Sequence, residues 1–172
     1  AESDWAVKTK YVWLTLKDEM FMASAGIDES NANGKLILLP KDSFRAAARL
    51  RTKLIRHYRI RHLGVIITDS RTIPLRAGVV GMAIGYAGLR GLRNYQAQRD
   101  IFGRKFRFTR VDMADSLAAA AVLLMGEGDE RQPLAVVSHA PVEFVGQVRR
   151  RELIIRPSQD IYKPLLKNLR RR

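Results

Sequence analysis

The order of apolar and polar positions along this chain predicts several short strands and two helices. Residues 11–16 and 20–23 are apolar-rich runs joined by Lys17-Asp18-Glu19, the pattern of a strand, a turn and a short partner strand. A polar loop over residues 26–34 leads to 36–39, an apolar run closed by Pro40 that reads as a buried strand. Asp42 or Ser43 then caps a helix reaching about residue 61. On its wheel Ala46, Ala47, Leu50, Leu54 and Tyr58 share one face, and Arg45, Arg49, Lys53, Arg56 and Arg59 the other. Residues 63–68 are almost wholly apolar, as expected of a central strand buried on both faces, with Asp69-Ser70 at its end. Residues 79–88 are apolar again, but Gly78, Gly81, Gly85, Gly88 and Gly91 punctuate the region. Residues 105–109 alternate like an exposed strand. Asp112 opens a second helix over 114–125, with Asp115 placed to complete a capping box and Gly126 to stop it. A last strand is expected over 134–138, and the basic ending keeps one apolar run, Leu153-Ile154-Ile155. Many strands and two helices without regular βαβ alternation predict an α+β fold with mixed or antiparallel sheets.

Composition narrows the class. With 172 residues and 47% of them hydrophobic, the chain has material for a core, so global disorder is not expected. No stretch approaches the ~20 uninterrupted apolar residues of a membrane-spanning helix, so no membrane partner is expected. The first residues, Ala1-Glu2-Ser3-Asp4-Trp5, lack the basic segment and apolar run of a signal peptide. There is no cysteine, which removes disulfides, thiolate ligands and a thiol nucleophile together and suits a reducing cytoplasm. The formal charge is +14, which implies attraction to nucleotides, nucleic acid or other polyanions. The basic helix face and the clusters Arg149-Arg150-Arg151 and Arg170-Arg171-Arg172 are where such a partner would dock; a solvated surface is the plainer alternative.

Against that basic background three acidic sites stand out. Asp69, after a buried apolar run, is either a ligand-binding group at a sheet edge or a turn cap before Pro74. Asp28, with Glu29, Ser30 and Asn31, offers hard oxygen donors that suit magnesium or manganese, or else forms an Asx-turn. The segment Met125-Gly126-Glu127-Gly128-Asp129-Glu130 puts acids just past a helix C-terminus, where a bound cation would relieve the repulsion from the carbonyls; a solvated acidic turn is the alternative. No phosphate-binding loop or dinucleotide fingerprint is present, and His57, His62 and His139 are too scattered for a zinc site. The glycines from Gly81 to Gly91 fit either a backbone approach to phosphate or close packing.

Taken together, these segments resemble the coenzyme F(420)-0:L-glutamate ligases. Ala25-Gly26-Ile27-Asp28-Glu29-Ser30-Asn31 is similar to the family's first signature, with Leu38-Leu39-Pro40 following. Ile67-Thr68-Asp69-Ser70, Pro74 and Arg76-Ala77-Gly78 resemble the second. Gly81-Met82-Ala83-Ile84-Gly85, Gly88, Asp100 and Gly103-Arg104 resemble the third, and Asp115 with Met125-Gly126 the last. The resemblance implies a dimeric α+β ligase joining the amino group of L-glutamate to a carboxylate of a deazaflavin-coenzyme precursor. GTP would activate that carboxylate as an acyl phosphate. It further implies that Asp28 and Asp69 bind one Mg²⁺ or Mn²⁺ and Ser70 and Glu127 a second, with a monovalent cation as an additional candidate. Asn31 and Met125, Gly126, Glu127, Gly128, Asp129, Glu130, Arg131 and Gln132 would contact GTP. Ser70 and Glu127 stand where the family usually has Thr and Gln, and Ser70-Arg71-Thr72-Ile73 departs from its common Thr-Phe-Gly-Arg. The similarity runs over the later two-thirds of the family's length. Residues 1–140 are thus expected to form a ligase-like domain lacking the family's GTP-contacting N-terminal segment, which is either removed, carried by a separate polypeptide or not retained with these residues, and 141–172 a basic extension.

Overall fold

The structure, a computed structural model, describes residues 3–166. Arg170-Arg171-Arg172 lies outside the described residues. The chain divides into two compact units. One holds residues up to Leu39, Arg71–Val79 and the segment from Ile154 onward; the other holds Pro40–Ser70 and Val80–Leu153.

The first unit is built on an antiparallel meander of β1 (Trp5–Lys8), β2 (Trp13–Lys17) and β3 (Met20–Ala23). The β2–β3 hairpin was legible in the apolar runs; Asp18 and Glu19 turn it with φ values of 50° and 63°. The register pairs Thr15 with Met22. Thr15 is buried, donates from Oγ1 to the Met22 carbonyl (2.7 Å) and accepts from Ala25 N (2.9 Å), tying the sheet to the 3-10 turn Ser24–Gly26. A buried hydroxyl is tolerated because both of its roles are filled. Residues 36–39 do not form the buried strand expected. Leu36, Ile37 and Leu38 are exposed, and the segment makes one antiparallel bridge, Ile37 with Asp28. With no second strand beside it, the apolar run has no sheet to enter.

The second unit is organised around β5 (Val79–Ala87), which forms a two-stranded sheet with β4 (Val65–Thr72). Helix α1 (Ser43–Tyr58) begins where Asp42 Oδ1 accepts from Arg45 N (2.8 Å) and ends at Arg59, in the left-handed region. Arg56 and His57 in its last turn suit the helix dipole. Helix α2 (Met113–Met125) is capped by Asp112, Oδ1 accepting from Asp115 N (2.9 Å), and stopped by Gly126. A short ribbon, β6 (Leu92–Asn94) with β7 (Arg110–Asp112), precedes it.

Two apolar clusters hold this unit together. Tyr86, Leu89 and Ala83 pack with Ala114 and Ala118 of α2, flanked by Phe44, Ile66, Val142, Val148 and Leu153. Ala47, Val65 and Ala87 pack with Leu54, Leu63 and Ile67. Successive residues of β4, Ile66 and Ile67, therefore enter different clusters, which explains its continuous apolar run. The strand is nonetheless not central: it has one sheet neighbour among the described residues, only partial burial, and continues through Asp69 and Ser70 to Thr72.

The face of α1 is also shifted from the expected one. Ala47 and Leu54 are covered, but Leu50 and Tyr58 are exposed, and Arg51 reaches the Leu63 carbonyl with Nε at 2.8 Å. The buried stripe runs through Phe44, Ala47, Arg51 and Leu54, because an arginine stem can cover apolar surface while its head finds a carbonyl. Residues 105–109 and 134–138 are not strands; the former contributes one bridge, Lys105 with Arg99. Among the described residues no helix is long and apolar enough to cross a membrane.

Candidate functional site

The glycine-punctuated strand β5 is packed on both sides by backbone. A Cβ at Gly81 would meet the Ala118 carbonyl oxygen of α2 at 2.5 Å, and one at Gly85 the backbone of Ser43 at 2.5 Å, at the start of α1. Close packing is thus what these two glycines serve. Asp115 does not close a capping box; its Oδ1 accepts from Ala83 N (2.9 Å), pinning α2 to β5. Asp112 is pushed up to about 6, chiefly by burial, with the Asp115 carboxyl adding to the effect.

This packing sets the C-terminal end of α2 against β4. Ser70 donates from Oγ to Glu127 Oε2 at 3.1 Å, and its own N–H donates to Asp69 Oδ1 at 2.9 Å. The Ser70 and Glu127 side chains therefore meet from positions 57 residues apart, with Asp69 the residue before Ser70 in β4. Met125 ends α2, and Gly126, Glu127, Gly128, Asp129, Glu130, Arg131 and Gln132 follow without regular structure. Gly126 has φ 79°, and its N–H still bonds the Val122 carbonyl (2.9 Å). Glu130 folds back, Oε2 accepting from Gly128 N at 2.8 Å. The turn is solvent-exposed from Glu127 to Gln132.

In the first unit, Asp28 opens the signature loop. Its backbone exchanges hydrogen bonds with Ile37 (3.1 and 2.7 Å), closing the loop, and its carboxylate accepts from Ser30 N (2.8 Å) and Ser30 Oγ (2.6 Å). Those Ser30 bonds, the hydroxyl's first, hold its carboxyl below the usual range. The Asx-type turn is thus formed. Asn31 and Asn33, at φ 52° and 50°, carry the chain round the loop with exposed side chains. Gly26 is required here for close approach, since a Cβ would overlap the Leu39 side chain. Among the described residues, no three His, Asp or Glu side chains form a group able to hold a metal ion.

The profile of the family described as F420-0:Gamma-glutamyl ligase matches residues 1–139. The chain belongs to this family. A relative named Coenzyme F420:L-glutamate ligase from Methanopyrus kandleri is 40% identical over 167 residues, covering 95% of this chain and 66% of the relative. One of the same name from Methanococcus maripaludis is 39% identical over 141 residues, covering 82% and 56%. Another, from Methanothermobacter thermautotrophicus, is 42% identical over 120 residues, covering 69% and 47%. The chain spans less than two-thirds of the length of these relatives.

The Ser70–Glu127 contact and the adjacent Asp69 belong to the second unit, while Asp28 and Asn31 belong to the first. Arg71, read from sequence as a departure from the family pattern, is buried and directs Nη1 to the Phe21 carbonyl (3.4 Å) and Nη2 to Met20 Sδ (3.2 Å). Sequence reasoning missed Glu152. Its Oε1 accepts from Tyr86 Oη (2.8 Å) and Gly91 N (2.7 Å), and no local pattern in an arginine-rich tail signals a partner 66 residues away.

Proposed function

We propose that this chain carries the phosphate-facing part of a GTP- and divalent-metal-dependent γ-glutamyl ligase. The observation that carries the reading is the Ser70–Glu127 contact beside Asp69, in a member of this family. Two carboxylates and one hydroxyl are a fitting donor set for Mg²⁺ or Mn²⁺ where phosphate oxygens complete the shell. A divalent cation held by Asp69, Ser70 and Glu127 would neutralise charge on the nucleotide's phosphates. Asp28, acidic enough to stay ionised, is proposed as a separate cation-binding carboxylate.

In the reaction proposed, an acceptor carboxylate oxygen attacks the γ-phosphorus of GTP and GDP leaves. The amino group of L-glutamate then attacks the acyl carbon, phosphate leaves, and the amine gives up a proton. The exposed turn from Glu127 to Gln132, together with Asn31, is the proposed nucleotide contact, and a homodimer working in the cytoplasm the proposed setting.

Calorimetric titration of GTP with and without Mn²⁺ tests the reading. Binding that requires metal, weakened tenfold or more by Asp69→Asn and by Glu127→Ala, is expected. GTP binding indifferent to metal and to both substitutions would sink the assignment. A second reading, polyanion binding, rests on the exposed Arg45, Arg49, Lys53, Arg56 and Arg59 of α1. It predicts RNA affinity that falls steeply with salt and is lost when that face is neutralised.

A further inference from the structure

The second unit contains a cleft of about 970 Å³ that shares no residue with the Asp69–Ser70–Glu127 group. Five arginines line it: Arg90, Arg93, Arg110, Arg149 and Arg151. They arrive from three places. Arg90 and Arg93 come from the stretch leading through β6, Arg110 from the facing strand β7, and Arg149 and Arg151 from the segment after Val148. The cluster Arg149-Arg150-Arg151 is therefore divided in its work. Arg150 turns away, pairing with Asp42 (2.9 Å) and covering the Phe44 ring (5.6 Å), while its two neighbours line the cleft.

Two carboxylates share the cleft, and both are already engaged. Glu143 holds Arg90 in a two-point pair (2.7 and 2.9 Å), and Glu152 accepts from Tyr86 and Gly91. Arg93, Arg110 and Arg149 form no ion pair among the described residues. Arg93 lies over the Tyr95 ring at 5.0 Å, which fixes the guanidinium plane and leaves its edge donors for a ligand. Arg93, Arg110 and Arg149, converging on one concavity where cations outnumber carboxylates, repel one another. A bound oxyanion removes that repulsion and accepts several charge-assisted hydrogen bonds at once.

We propose that this cleft binds a small phosphate-bearing ligand. Its volume lies in the range of small-molecule sites. A nucleic-acid groove is the poorer match. The nearby Tyr95 ring is covered by Arg93 rather than offered to a base, and Glu143 and Glu152 would oppose a continuous phosphate backbone.

The test is calorimetric titration of the full chain with inorganic pyrophosphate, in EDTA and at physiological salt, so that any metal-dependent nucleotide binding is silent. Binding is expected, and both Arg93→Ala/Arg110→Ala and Arg149→Ala should weaken it by roughly tenfold or more, as loss of charge-assisted bonds implies. Arg49→Ala/Lys53→Ala removes the same charge from α1 as the double variant and should leave the affinity within about twofold. Far-UV circular dichroism establishes that each variant is folded, and Arg149, exposed in a segment without regular structure, supplies a change that does not touch the ribbon. No pyrophosphate binding by the unaltered chain overturns the proposal. So does an equal loss in the α1 variant, which would mean general attraction to a basic protein. Tighter binding of a short single-stranded RNA at the same arginines would also overturn it, in favour of a nucleic-acid groove.

Discussion

Glu152 Oε1 accepts hydrogen bonds from a buried phenol and a backbone N–H, so one oxygen satisfies two groups that water cannot reach freely. The carboxylate pushes the Tyr86 hydroxyl upward, after burial itself, and keeps it a donor. Glu152→Ala should therefore cost about 2–4 kcal/mol, because both donors are left unmade, whereas Tyr86→Phe should cost about 1 kcal/mol. Urea unfolding of the two single variants and the double variant would show strong non-additivity if the pair acts as described. Asp112 makes a prediction of opposite character. Its carboxyl is raised to about 6 in the folded chain by burial, against 3.8 as the ordinary value. The folded state therefore holds this proton more tightly than the unfolded state does. The stabilisation is fully present below about pH 4 and is lost as pH rises through 6. Asp112→Asn keeps an oxygen to cap α2 and cannot ionise. At pH 8 the variant should be more stable than the parent by on the order of 1–2 kcal/mol, allowing for partial solvent screening. The gap should close by pH 4, as urea midpoints at the two pH values would show.

At the scale of elements, β5 is where two helices and a strand meet, and its glycines carry the fit. A Cβ at Gly85 would stand 2.5 Å from Ser43 C and 2.6 Å from Phe44 N, backbone atoms that cannot swing aside. Gly85→Ala should destabilise by about 1–3 kcal/mol through overpacking. Gly146→Ala, with nothing within 4 Å, should be neutral or slightly stabilising. Comparing chemical-denaturation midpoints of the two variants checks both. The sequence showed α1 and α2 well, since each combines an Asp cap with a long run of helix formers. It showed the β2–β3 hairpin because the apolar runs are close in sequence. It did not show that residues 36–39 and 134–138 lie outside any sheet, because their apolar character reports burial potential and not the presence of a neighbouring strand. Of the candidate site, Asp69 and Glu127 stood out as acidic groups in a basic chain, but Ser70 was legible only through the family resemblance, and the Ser70–Glu127 contact was not legible at all. That contact spans 57 residues and depends on how α2 sits on β5, which Asp115 and Gly81 decide.

For the molecule as a whole, charge is the dominant long-range term. The chain carries +14, and the ion pairs Arg90–Glu143 and Arg150–Asp42 among the described residues join partly exposed side chains, a type of pair that contributes little. Repulsion among cations should then outweigh attraction, and salt should stabilise the fold by screening it. Along α1, Arg45, Arg49 and Lys53 repeat every four residues on an exposed face, each like-charged pair costing about 0.2–0.5 kcal/mol at low salt. Thermal unfolding should therefore shift upward between about 0.02 and 0.3 M sodium chloride, two concentrations over which the screening length falls several-fold. A downward shift would mean that attractive pairs dominate. Arg49→Glu places a carboxylate between Arg45 and Lys53, turning two repulsions into two attractions. That variant should melt higher than the parent at low salt, and the difference should shrink as salt rises, because only the electrostatic part of the change is screened.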